Sequence, residues 1–436
     1  MLRGIISAVL LFQVVSICPA QVPAPGKKQD KGILIMNAVI HDGDGKRLDG
    51  AWLRADGGKI TAMGTGQPAA EQRQSCEITD AAGAHLYPGF ILMNNSLGLA
   101  EIEAVRATLD VQETGADNPH AHSLIAYNTD SDVIPTLRLN GVLMAQICPR
   151  GGRISGTSSV VQLDAWNWED AVVRERDGMH LNWPSRMTGS GWWAEPGSAA
   201  EKNKEYAQQV TALELLFEEA AAYCSGKNTS MNPKLEAFRD VFSGKTRLYI
   251  HASQPVEIIH ALNLAEKSGI SQPALVTGTA VSELAGMIAA KNIPVVLNRL
   301  HDLPAQAEGP VFQASFVPAQ LQKAGITVAL DYEGNMEIMG ARNLGFVAGN
   351  TRAFGLGEEE ALSLITRNPA RILGIDKTCG TLSPGKDATF FISKGNALEM
   401  KTQELTAAWI QGRKVSLESK QTQLYQKFAK MLQNGR

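Results

Sequence analysis

Two side chains at the ends of apolar runs are the first candidates for chemistry in this 436-residue chain. His251 closes the run LYIH and Asp331 closes ITVALD. An imidazole titrates near neutrality and serves as a metal ligand or a general base. Asp331 with Glu333 offers a carboxylate pair for acid–base work. Each also has a plain structural reading, as a hydrogen-bonded histidine and a loop-satisfied aspartate at strand ends. The loop PRGGRISGTSS (149–159) presents successive backbone N–H groups that can nest an anion, with Arg150 or Arg153 able to clamp a carboxylate. Ordinary turn chemistry competes with that reading. It is not a phosphate loop, because Thr157 stands where the nucleotide-binding lysine would be. His120 and His122 form the chain's one HxH, in the loop-like run ADNPHAHS, with metal binding and a surface loop as its two readings. The pairs Trp166/Trp168 and Trp192/Trp193 suit either the wall of an apolar pocket or the pinning of a long loop. His260, nine residues beyond His251, reads as structural.

The elements that must hold these groups are short apolar strands alternating with helical stretches. From Tyr87 onward the candidates are GFILM (89–93), GVLMAQI (141–147), SSVVQL (158–163), LYIHA (248–252), ALVTG (274–278), PVVLN (294–298) and ITVALD (326–331). Helices fit 255–269 and 281–292. Buried strands followed by helices predict a parallel sheet covered on its faces, and seven over this length predict an α/β (β/α)8 barrel with functional groups at the strand C-termini. SLIAYN (123–128) is the candidate for the eighth strand. A Trp- and Gly-rich excursion at 164–235, helical from about Ala200 to Tyr223, reads as a lid or pocket wall.

Around the barrel the chain opens and closes with β-type segments. Residues 32–86 carry alternating strands punctuated by Asp42-Gly43, Asp44-Gly45 and Gly57-Gly58, and 380–415 return to strand and turn chemistry. The two ends are expected to pair into one composite β-domain, leaving 87–379 as the barrel and 416–436 as an amphipathic C-terminal helix.

Arg3 followed by the apolar run Ile5 to Ile17 and the small residues of Cys18-Pro19-Ala20 reads as a cleaved signal peptide over 1–20, ahead of a Pro- and Lys-rich lead-in at 21–31; a lipid anchor on Cys18 is the rival reading, against which Ile17 stands where such a site wants a small residue. Export to the periplasm or medium is therefore expected. No later run approaches the roughly 20 apolar residues of a membrane span. The net charge of −3, without a basic stripe, argues against nucleic acid as a partner. Cys76, Cys148, Cys224 and Cys379 lack metal-type spacing. Cys76 and Cys379 could pair if their segments meet.

The order of elements resembles the amidohydrolase superfamily, in particular its imidazolonepropionase-like branch. The resemblance rests on YPGFI (87–91), ITRNPARILGI (365–375) and GTLSPGKDA (380–388), and spans about 32–415. It implies a metal-dependent barrel with a composite β-sandwich that hydrolyses amide-type C–N bonds, in which one or two divalent ions activate water. Carried over residue by residue, the resemblance puts Leu92 where the family has an acidic residue, and Asn94 and Ser96 where it has two histidines that strand alternation would aim into the mouth. Thr277 replaces a third histidine, while His251 and Asp331 match the remaining ligand positions. An amide and a hydroxyl are poor substitutes for imidazoles, and two ligands fall short of the usual three plus water.

His251 and Asp331 are thus the candidate catalytic pair and the ligands of any depleted metal site. Arg153, Asn94, Asn298 and Glu333 are the candidate substrate-binding groups. One divalent ion of the zinc type and no cofactor at all both stay open. So do two functions: a hydrolase of non-peptide or small amide C–N bonds, and a non-catalytic barrel that binds a small ligand, forms a homo-oligomer or pairs with a catalytic relative.

Overall fold

The computed structural model describes residues 23–102, 104–188, 201–226, 230–298, 300–301, 309–332 and 338–433. The segment 1–20 read as a signal peptide, Trp192, Trp193 and Glu333 lie outside the described residues.

Strands β1 (Gly32–His41), β2 (Arg47–Asp56), β3 (Lys59–Thr65), β4 (Cys76–Asp80) and β5 (His85–Pro88) build the first part of a small sheet. β1 is antiparallel to β2; its first half pairs in parallel with β4 and its second half with β5. The bulge that lets one strand serve two partners lies beside Asn37, whose φ is +54°. The C-terminal strands complete this sheet rather than forming a second one in the pairing order. What is seen is therefore one composite eight-stranded sheet.

The barrel sheet runs through β6 (Phe90–Asn95), β7 (Val142–Ile147), β8 (Ile154–Gln162) and β9 (Val172–Asn182). A short pair, β10 (Met187–Thr188) and β11 (Glu201–Lys202), decorates its top. The sheet continues with β12 (Arg247–His251), β13 (Pro273–Thr277), β14 (Val295–Leu297) and β15 (Val328–Leu330). An isolated parallel bridge, Met93 to Asp331, brings the first and last strands together. The backbone of Leu364 and Ile365 fills the rest of that seam, accepting from Leu330 and Ile91. Ile91, Met93, Tyr249, Val276 and Val296 fill the interior, and Ala370, Leu373 and Ile375 join the same cluster from the segment that closes the barrel.

The barrel departs from the expected all-parallel design. β8 is antiparallel to both β7 and β9. The six-residue link from Ile147 to Ile154 is too short for the crossover that parallel neighbours need, which is a dozen residues or more. Gly151 and Gly152, at φ +78° and +65°, supply the turn. SLIAYN is not a strand; Ser123–Ala126 form a 3-10 turn. The eighth strand is β9, inside the stretch read as an excursion, followed by the helix Tyr206–Ser225. Its first half is charged and partly exposed (Val172 to Arg176), which hides the strand pattern, whereas Asp177 to Leu181 are buried.

Finally β16 (Phe390–Ser393), β17 (Leu405–Ile410) and β18 (Arg413–Lys414) return the chain to the small sheet, with Phe390 opposite Pro88 and Ile392 opposite Leu86. The last helix, Lys420–Gln433, carries an apolar stripe that stays exposed at Tyr425 (76%) and Leu432 (71%). Cys76 and Cys379 are free thiols: Cys76 sits on the small-sheet strand β4, and Cys379 packs among the barrel-interior residues, so they do not pair.

Candidate functional site at the barrel mouth

The C-terminal ends of the barrel strands meet in a connected polar network. Asn94 lies at its centre. Its φ of +48° marks a bulge, and the β6–β7 register slips between Leu92 and Asn95. Simple alternation therefore fails here: Asn94 is aimed inward by the bulge, Asn95 donates to the Tyr332 carbonyl (3.1 Å), and half-buried Ser96 lies beyond the strand. Leu92 is fully buried against the outer helices and leaves no trace of an acidic ligand.

Asn94 Nδ2 donates to Asp331 Oδ2 at 2.8 Å. The Arg150 guanidinium donates to Asn94 Oδ1 (3.0 Å) and to its carbonyl (2.8 Å). The Asn94 amide donates to Gln146 Oε1, and Gln146 Nε2 donates to Asp177 Oδ2 at 2.7 Å. Tyr249 OH donates to the same Asp177 oxygen at 3.1 Å. Tyr249 can reach across the interior only because residue 178 is glycine: a Cβ there would lie 2.0 Å from the ring. Burial pushes the Asp177 carboxyl up from its ordinary range, against the lowering effect of these donors.

Two histidines complete the network. His180 Nδ1 and His251 Nε2 are 2.9 Å apart, and His180 Nε2 is 2.8 Å from Ser158 Oγ. Ser158 donates to the Gly178 carbonyl (3.2 Å), so its lone pair receives His180 Nε2–H. His180 Nδ1 then accepts the proton of His251 Nε2. Burial first, and then the neighbouring Arg150 charge, holds His251 down at about 3. Burial, His251 and Arg150 depress His180 in the same direction. Both rings are neutral at physiological pH.

This arrangement does not fit the divalent ion that the fold implies. His251 Nε2 is engaged by His180, which leaves only Nδ1 to face an ion, and the nearby cation is the fixed guanidinium of Arg150, which disfavours a second positive charge. Among the described residues, no three His, Cys, Asp or Glu donors converge at the mouth.

The other predicted residues are scattered. Arg153, expected at a substrate, instead binds Asp117 through Nε (3.1 Å) and Nη2, fastening the 115–118 loop; Arg150 is the arginine that enters the mouth. Asn298 stands half-buried just past β14, its amide donating to the Thr277 carbonyl. His120 is exposed, while His122 meets Ser159 Oγ at 3.1 Å, so the HxH does not converge on an ion. His260 meets Tyr206 OH at 3.0 Å in a supporting contact. Trp166 is exposed, whereas Trp183 is buried and donates to Tyr206 OH.

Asp177 and His180 were missed with the strand that carries them. Gln146 was visible as the one polar residue in GVLMAQI. Among the polar atoms at the mouth, Thr277 Oγ1 and Asp177 Oδ1 are buried without a hydrogen-bond partner among the described residues.

Residues 322–432 match the sequence model of the amidohydrolase family. No curated protein matched the chain by sequence. Among solved structures, an amidohydrolase from Thermotoga maritima MSB8 superposes with a TM-score of 0.74 at 23% identity, covering 88% of this chain and 99% of that one. A prolidase complexed with N-methylphosphonate-L-proline gives 0.54 at 16% identity, covering 88% and 99%. A putative prolidase from Bifidobacterium longum gives 0.53 at 14%, covering 91% and 99%. The chain thus has the amidohydrolase fold over most of its length and the family's sequence signature over residues 322–432.

Proposed function

We propose that this chain uses an amidohydrolase-type barrel as a metal-free binding site for a small polar ligand. The observation that carries the reading is the Arg150–Asn94–Asp331 chain: an arginine side chain is bound to the residue standing where the family's metal-binding imidazole would be. The leftover hydroxyl of Thr277 supports a ligand at the same place, because a buried polar group needs a partner.

A thermal-shift screen of small amides, N-acyl amino acids and carboxylates tests this. The expected result is a compound that raises Tm and is released unchanged, with the shift lost in Arg150→Met. Product formation that requires an ion removed by His251→Ala would overturn it.

A second reading, hydrolysis of non-peptide or small amide C–N bonds, is favoured by the family signature at 322–432 and by Asp331, which holds the place of the family's proton-shuttling aspartate. It requires amide turnover abolished by Asp331→Asn. We also infer export, on the strength of the apolar run behind Arg3. A mature N-terminus at Gln21 checks that inference.

A further inference from the structure

Away from the mouth, the seam between the small sheet and the barrel side contains a second histidine cluster. His41 ends β1 and is fully buried. Tyr87 stacks on its ring at 4.3 Å and 7°, and His41 Nε2 lies 2.9 Å from His85 Nδ1. The opposite nitrogen, Nδ1, is 2.5 Å from Glu359 Oε1. Glu358 stands next to it at the start of the helix Glu358–Ser363, oriented by Asn396 Nδ2 at 3.0 Å. One donor atom from each of His41, Glu358 and Glu359 lies within 4.8 Å of the other two.

We propose that His41 Nδ1 and the carboxylates of Glu358 and Glu359 hold a divalent transition-metal ion of the zinc class, clamping the helix to the sheet. One imidazole and two carboxylates are a donor set that zinc accepts, with water free to complete four-coordination. A charge argument points the same way. A protonated His41 would pair one oxygen of Glu359, yet Glu359 Oε2 is buried with no hydrogen-bond partner among the described residues. Two adjacent carboxylates also repel each other unless a cation lies between them. The cation paired with Glu358, Arg352, is 3.7 Å from it and donates to Glu399 at 2.7 Å. Admitting an ion with bonds of about 2.0–2.1 Å opens the His41–Glu359 pair by roughly 1 Å. His85 is a positioning residue: a ligating histidine is held in its tautomer and orientation by a partner on its far nitrogen.

The site is independent of the barrel mouth, and the test keeps them apart. Full-length protein is stripped with a chelator, and zinc chloride binding is followed by equilibrium dialysis, with Tm measured in parallel. The expected result is one equivalent bound with a rise in Tm. Glu359→Gln and Glu358→Gln should each weaken binding at least about 10-fold, and His85→Gln by about 10- to 100-fold. His251→Ala should leave binding unchanged. The two glutamate variants keep His41 in place, so they serve should His41→Gln fail to fold. Cobalt in place of zinc should give d–d absorption that Glu359→Gln abolishes. No zinc bound, or zinc retained in full by Glu359→Gln, overturns the proposal and leaves only a His41–Glu359 ion pair. Zinc lost in His251→Ala overturns both this proposal and the metal-free reading of the mouth.

Discussion

The barrel mouth and the sheet–barrel seam each contain two histidines whose nitrogens approach to 2.9 Å, yet a fixed cation stands beside the first pair and two carboxylates beside the second. At the mouth the pair is neutral and is set between the Arg150 guanidinium, which depresses both rings, and the hydrogen-bonded carboxylates of Asp331 and Asp177. At the seam His41 faces two carboxylates, one with an unsatisfied buried oxygen. The difference teaches that histidines alone do not make a metal site. What decides is whether the free nitrogen looks toward anions or toward a cation, since these interactions strengthen as water is excluded. In this chain the place where the fold ordinarily holds its ion carries a built-in cation, and a donor set sits elsewhere.

The harshest way to break the mouth is Gly178→Ala. Its methyl would meet Tyr249 at 2.0 Å, and overpacking of this kind costs about 3 kcal/mol or prevents folding. Chemical denaturation measures the loss. Gly178→Ala is expected to leave zinc binding at the seam intact wherever the protein folds, which sharpens the contrast.

How much of this was legible follows from particular residues. YPGFI, ITRNPARILGI and GTLSPGKDA anchored the fold, and the apolar runs gave seven of the eight barrel strands. Their directions were another matter. Apolar content says nothing of parallel or antiparallel, although the six-residue link before Ile154 held the answer for β8. β9 escaped because VVRER is charged on its exposed half. The role of Asn94 was read from strand alternation, which a single positive-φ residue defeats. The seam cluster joins β1 to a helix more than 300 residues later, a pairing that sequence periodicity cannot show.

Replacing Arg150 is the next most severe change. Arg150→Met removes two charge-assisted hydrogen bonds to Asn94 and should cost about 2–3 kcal/mol. NMR titration of the variant should also show the His251 pKa rising from about 3, because the Arg150 charge helps depress it. An unchanged value would separate Arg150 from the network.

Acid gives a smaller, graded effect. Folded His180 and His251 titrate below their unfolded value near 6.5, so their contribution is present above that pH and is lost as pH falls toward about 3. Between pH 7 and 4 the loss attributable to His251 should be on the order of 2 kcal/mol, allowing for its partial exposure. Asp177, raised by burial, opposes part of it. The slope should flatten in His251→Gln, measured by urea denaturation across this range. The mildest change is His260→Ala, which loses one hydrogen bond to Tyr206 outside the mouth and should cost less than about 1 kcal/mol.

The most direct test is anomalous diffraction at the zinc edge from crystals of the full-length protein grown with zinc. The account predicts a peak among His41, Glu358 and Glu359 and none beside His251 and Asp331. A zinc peak at the barrel mouth would contradict it.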